Sequence, residues 1–153
     1  MSTVKSSSED LTLNADGSGN DVVIQGNGTN TATITAEGLL KYNSGYGSVA
    51  TAYGCRAWVN FNGTGTVAIR GSGNVSSITD YATGSYGVNF ATAMPDTNYG
   101  FTGAGTAGGD MNATSVAYNY DANVKTTGGV RIYATSTAYT LIDGVQMNVA
   151  FYR

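Results

Sequence analysis

Between residues 56 and 101 the chain alternates apolar and polar side chains in short runs, and glycine turns close nearly all of them: RAWVNFNGTGTVAIRGSGNVSSITDYATGSYGVNFATAMPDTNYGF. Successive side chains of a strand point to opposite faces, so this period of two commits the segment to β structure and leaves nothing spaced for a helix. Ala57, Val59 and Phe61 share one face of the first run, with Trp58 and Asn60 on the other. After the Asn62-Gly63 turn, a second run sets Val67 and Ile69 against Ala68 and Arg70 and closes at Gly71-Ser72-Gly73, where glycine tolerates positive φ. A third run covers 75–78, and a fourth places Tyr86, Val88 and Phe90 in strict alternation. The arrangement expected is an antiparallel meander.

The same pattern continues to the C-terminus. Pro95, the single proline, fixes φ in a turn where Asp96 can accept from the backbone ahead. Tyr99 and Phe101 restart a strand, and 102–112 reads as the most glycine-rich loop; Gly103, Gly105, Gly108 and Gly109 lack the lysine and following helix of a phosphate cradle. Val116, Tyr118 and Tyr120 share a face of the next run, 121–129 reads as a polar loop, and Val130, Ile132 and Ala134 alternate with Arg131 and Tyr133. Residues 136–141 read as a further short strand. The most regular run is the last, Val145, Met147, Val149 and Phe151 against Gln146, Asn148, Ala150 and Tyr152. Such a strand is expected to be central or set in a subunit interface, because exposed it would be an aggregation edge.

Toward the N-terminus, three short strand candidates (11–14, 21–25, 31–36) are divided by turns at 16–20 and 26–28. Strands this short bury little within one chain, so Leu11, Leu13, Val22, Ile24 and Ile34 call for further copies of the chain, or a larger sheet, to cover them. Residues 39–54 loosen into Gly, Ser and Tyr and read as a connector, with at most a helical turn at 48–53. Residues 1–10 are polar and serine-rich, either a disordered terminus or a peg that orders on docking, with Ser2, Thr3, Val4 and Lys5 as candidate anchoring residues.

Three stretches carry a resemblance. Ala-Trp-Val-Asn-Phe-Asn-Gly-Thr-Gly (57–65), Ile-Arg-Gly-Ser-Gly-Asn-Val (69–75) and Val-Asn-Phe-Ala-Thr-Ala-Met-Pro-Asp-Thr-Asn-Tyr (88–99) resemble the C-terminal knob domain of bacteriophage tail-fibre proteins, as in phages of aquatic bacteria. The Gly-Val-Arg-Ile-Tyr run at Gly129 and the terminal Val-Asn-Val-Ala-Phe-Tyr-Arg form its far end, so the likeness spans roughly the last two thirds of the chain. The Leu-Thr-Leu-Asn-Ala-Asp-Gly-Ser-Gly stretch (11–19) is similar to repeat units of fibre shafts. The resemblance implies an all-β chain: an attachment and shaft-like segment, 1–53, leading to an antiparallel β-sandwich or jelly-roll-like knob, 54–153, as a homotrimer. It implies a virion structural protein, on the tail fibre rather than the capsid surface, made in the host cytoplasm, bound to other virion proteins through its N-terminal segment and attaching to a host surface glycan or protein without catalysis. The matching motifs are structural, and no catalytic residue is carried over with them.

Charge and cysteine content narrow the partners. Seven Lys and Arg against 10 Asp and Glu give a net charge of -3, with no basic cluster to meet a phosphate backbone or an anionic membrane, so neither nucleic acid nor membrane insertion is expected. The start of the chain has no apolar stretch of the kind a signal peptide carries. On that reading the four Asn-x-Ser/Thr triplets, at Asn27, Asn62, Asn74 and Asn112, reflect an Asn/Thr-rich composition rather than glycosylation. With no histidine and one cysteine, Cys55, no soft-ligand metal site, cofactor or His-based chemistry is expected; Cys55 reads as a small buried filler. Asp16, Ser18 and Asn20 space oxygens as a calcium loop does, but Asn27 stands where its closing carboxylate belongs, leaving an Asx-rich turn.

Tyrosine supplies what could bind. The 11 tyrosines and the lone Trp58 offer faces for sugar stacking, and tyrosine adds a hydroxyl for hydrogen bonding. Trp58, Tyr86, Tyr118 and Tyr133 lie in alternating runs and read as core or interface packing. Tyr81 beside Asp80, and Tyr120 beside Asp121 and Asn123, have polar neighbours and read as turn residues; with Asp110 and Asn112 they are the candidate ligand contacts. Two alternatives stand beside the adhesin: a capsid-decorating or head-fibre protein using the knob as a clamp, and a small polysaccharide depolymerase, for which Asp80, Asp96, Asp110, Asp121 and Asp143 supply no paired motif.

Overall fold

The computed structural model describes residues 13–107, 112–118 and 125–153. The chain is all-β and divides into two compact units, Met1–Ala52 and Tyr53–Arg153.

The first unit is an antiparallel sheet of β1 (Val22–Gly26), β2 (Thr29–Ile34), β3 (Leu40–Tyr42) and β4 (Ala50–Thr51), in that order. Its register puts Val22, Ile34 and Leu40 in one row and Ile24, Ala32, Tyr42 and Ala50 in the next, so a single face gathers the apolar side chains. Ile24, Ile34, Leu40 and Tyr42 stay exposed there. The opposite face runs Val23, Thr33, Lys41, Thr51 and is mostly polar. Two expectations change here. Leu13 and Asn14 lie outside any strand, and the stretch read as a connector with a helical turn holds β3 and β4 instead, because these residues complete the ladder that β2 begins.

The second unit contains β5 (Cys55–Asn62), β6 (Ala68–Gly73), β7 (Val75–Ala82), β8 (Ser85–Phe90), β9 (Gly100–Ala107), β10 (Asn112–Tyr118), β11 (Lys125–Thr126), β12 (Gly129–Thr135) and β13 (Gln146–Tyr152). Hydrogen bonding orders them β6-β5-β13-β9-β10-β12-β8-β7, with β11 appended to β12. The inner rows are those the alternation marked: Ala57, Val59, Phe61; Tyr86, Val88, Phe90; Val130, Ile132, Ala134; Met147, Val149, Phe151. The sheet folds over so that β5 and β13 face β8 and β12. Phe61 meets Tyr86 edge-on at 5.2 Å, and Phe90 meets Phe151 at 5.1 Å, although no hydrogen bond joins those strands. The result is an antiparallel β-sandwich, and burying each of these large apolar side chains contributes about 1.5–3 kcal/mol before chain entropy is set against it.

β13 is central, between β5 and β9. Its register with β9 runs unbroken from Gln146 opposite Thr106 to Tyr152 opposite Gly100, so residues 102–107, expected as loop, are strand. Glycines misled the reading: Gly103 and Gly105 are the inward residues, opposite Val149 and Met147, and their lack of side chains fits the place where the sheet turns over. Gly71 and Gly73 likewise belong to β6, and the turn falls on Asn74, which adopts φ 56° while its amide donates to the Arg56 and Thr92 carbonyls at 3.1 Å. The meander is broken at that turn. Although consecutive, β6 and β7 lie at opposite ends of the strand order. Residues 136–140 form a turn rather than a strand, closed by the Ser136 amide donating to the Thr140 carbonyl at 2.8 Å. Arg153, after β13, donates through Nη2 to Asp96 Oδ2 at 2.6 Å, which holds the Asp96 carboxyl below its usual range.

Candidate functional site

The outer face of β5, β13 and β9 presents the Trp58 ring among small neighbours. Alternation that sends Ala57, Val59 and Phe61 inward sends Trp58 outward, where 47% of it is exposed. Its ring lies over β6: a Cβ at Gly73 would stand 2.5 Å from Trp58 Nε1, and one at Gly71 would stand 3.4 Å from the far edge of the six-membered ring. Glycine at Gly73 gives the indole its seat, and the ring extends over Gly71 at ordinary van der Waals distance. Trp58 is therefore an exposed platform, not the packed side chain that strand position alone suggested.

Register builds the rest of this surface. Ala150 lies opposite Trp58 and Thr102; one step along, Asn148 lies opposite Asn60 and Ala104. Asn60 Nδ2 donates to Asn148 Oδ1 at 2.6 Å, which pins both amides. A shallow groove of about 470 Å³ runs along Trp58, Thr102, Ala104, Asn148 and Ala150. An aromatic platform, small residues on the floor and fixed amides at the side suit a pyranose, whose apolar face stacks while its hydroxyls exchange hydrogen bonds. The signal was legible in the alternation, but reading Gly71 and Gly73 as a turn hid the seat.

Of the residues singled out from sequence, Tyr81 lies on β7 rather than in a turn, is 55% exposed, and carries the Arg131 guanidinium 4.3 Å above its ring. Asn112 begins β10. Asp110, Tyr120, Asp121, Ser2, Thr3, Val4 and Lys5 lie outside the described residues or their described side chains. Tyr86 is in the core as read, Tyr133 is half-buried on the outer face beside Arg131, and the side chain of Tyr118 is also outside the described set. Cys55 is exposed rather than a buried filler: it opens β5, where the Ala57 carbonyl takes the weak thiol hydrogen bond at 3.2 Å. In the 14–20 turn the Asn14 amide donates to Asp16 Oδ1 at 2.6 Å and the Asn20 amide to the Asp16 carbonyl, as an Asx-rich turn does. Among the described residues no three Cys, Asp or Glu side chains gather as metal ligands do.

Sequence also missed an exposed aromatic in a turn. Tyr139 tips the 136–140 turn, 91% exposed and in the left-handed conformation at φ 61°.

No family model matches this chain, and no curated protein matches it. Among solved structures it is similar in fold to the tailspike of phage phiAB6, crystallised with three-repeated oligosaccharides of the Acinetobacter baumannii surface polysaccharide. The TM-score is 0.55 at 16% identity, over 99% of this chain and 30% of that one.

Proposed function

We propose that the chain is a receptor-binding module of a phage tail, attaching the virion to a host surface glycan by reversible contact at the Trp58 groove. The observation that carries this reading is the half-exposed indole seated on Gly71 and Gly73 beside the Asn60–Asn148 amide pair. The fold-level likeness to a tailspike crystallised with surface oligosaccharide supports it. The apolar face of the first unit, with Ile24, Ile34, Leu40 and Tyr42 uncovered, supports a homotrimer in which copies of the chain cover one another there. Weak single sites would then multiply across copies.

Attachment proceeds without bond cleavage in this reading; among the described residues no carboxylate lines the groove. A glycan-cleaving tailspike module is the second reading, favoured by the same likeness. One experiment separates them: labelled protein is titrated onto intact host cells while light scattering gives its mass and released reducing ends are assayed. Saturable binding by a trimer, lost in Trp58→Ala with no reducing ends released, is the outcome expected. Release of reducing ends moves the assignment to a depolymerase. A trimer that ignores cells but rebinds stripped capsids moves it to shell decoration, and an Ile34→Lys variant that stays trimeric removes the first unit from the interface.

A further inference from the structure

The outer face of the opposite layer carries a cation that makes no ion pair among the described residues. Arg131 alternates outward between Val130 and Ile132 on β12, opposite Gly87 of β8. Its guanidinium lies 4.3 Å above the Tyr81 ring and 5.8 Å from the Tyr133 ring, and its Nε donates to Ser85 Oγ at 2.9 Å. Tyr81 is seated as Trp58 is, over a glycine: a Cβ at Gly87 would stand 2.9 Å from its ring. Three contacts thus fix the plane of the guanidinium while its two terminal nitrogens find no acceptor among the described residues. The one ion pair among those residues uses Arg153.

No described Asp or Glu pairs with this half-buried arginine, and its guanidinium is held by Ser85 and two rings rather than left to turn in solvent. The fork is pre-organised for a planar, two-oxygen anion, which it meets with two parallel N–H···O bonds, while the flanking Tyr81 and Tyr133 rings hold the guanidinium and offer contact to the carbon skeleton that carries the anion. We propose that Arg131, Tyr81 and Tyr133 form a binding subsite for the carboxylate of an acidic sugar. This subsite rests on the reading of the chain as a glycan binder but uses none of the residues of the Trp58 groove, which lies on the other layer.

The test titrates the full chain with a trimer of galacturonic acid and with the same trimer methyl-esterified, following the Arg131 Nε–H resonance and the single indole resonance of Trp58 by NMR. The acid form is expected to shift the Arg131 signal saturably, and the ester to leave it in place. Arg131→Lys keeps the charge but loses the fork, and is expected to bind the acid form about tenfold more weakly; Tyr81→Ala does the same by freeing the guanidinium. Equal response to acid and ester, no response of the Arg131 signal, or undiminished affinity in Arg131→Lys would overturn the proposal. So would inorganic phosphate displacing the acid trimer at equal concentration, since the site would then read charge alone. A silent Arg131 signal with a shifting indole sinks this subsite and leaves the Trp58 groove standing; a silent indole with a shifting Arg131 does the reverse.

Discussion

The Tyr86 hydroxyl, inside the sandwich, donates to Asp143 Oδ1 at 2.7 Å, with the Gly63 carbonyl 3.0 Å away as a second acceptor. The same Asp143 oxygen accepts the Gly84 amide at 2.7 Å, and the Gly63 amide donates to the Gly144 carbonyl at 2.8 Å. A residue of β8 is thereby tied to the turns that end β5 and begin β13, on the facing layer. Gly63 has to be glycine for this, since a Cβ there would stand 2.5 Å from the hydroxyl. Tyr86→Phe keeps the ring against Phe61 and removes only the hydroxyl, leaving a half-buried carboxylate short of a donor. The expected cost is about 1–3 kcal/mol of unfolding free energy, measured by urea denaturation with an unchanged slope.

The same hydroxyl makes stability depend on alkaline pH. Burial, and then the hydrogen bond to Asp143, raise the Tyr86 phenol well above its ordinary range. In the unfolded chain it ionises near pH 10. Its contribution is therefore whole below about pH 10 and is lost as the pH climbs from there toward the raised native value, because the unfolded chain sheds a proton that the folded chain keeps. Unfolding free energy measured from about pH 9 to about pH 11 should fall more steeply in the natural protein than in Tyr86→Phe. Parallel curves would show that other groups set the alkaline limit.

Gly73 tests the seat of the exposed indole. Its φ is not positive, so alanine suits the backbone, but its Cβ would stand 2.5 Å from Trp58 Nε1. Gly73→Ala should swing the ring into solvent, shift the emission of the only tryptophan to the red, and weaken glycan binding about tenfold, with the sandwich intact. Gly71→Ala places its Cβ at an ordinary 3.4 Å and should change neither signal.

What alternation could convey, it did. The inner rows of β5, β8, β12 and β13 are legible residue by residue, because a period of two is fixed by backbone geometry and needs no partner to be read. Glycine is where reading failed, at Gly71, Gly73, Gly103 and Gly105. Local chemistry favours a turn at each, and pairing with β5 or β13 overrides it; no single segment announces its partner. Position β6 as strand and Trp58 acquires a floor. The contact between Arg131 and Tyr81 was hidden for the same reason, since it joins residues 50 apart through β8, and only the register of β7 on β8 and β8 on β12 brings them together.

Tyr139 gives a final test of whether exposed aromatics here are kept for contact. A tyrosine at φ 61° holds a conformation that costs an L-residue about 1–2 kcal/mol and that glycine adopts freely. Its side chain, 91% exposed, returns little of that through packing. Tyr139→Gly should therefore leave the protein as stable or up to about 1 kcal/mol more stable, offset in part by the greater entropy glycine gives the unfolded chain. A ring this exposed is open to an outside partner, so the same variant should bind cells more weakly. Thermal melts and the cell titration, run side by side, check both halves: stability held with binding reduced assigns Tyr139 to the contact surface, and unchanged binding makes the residue dispensable.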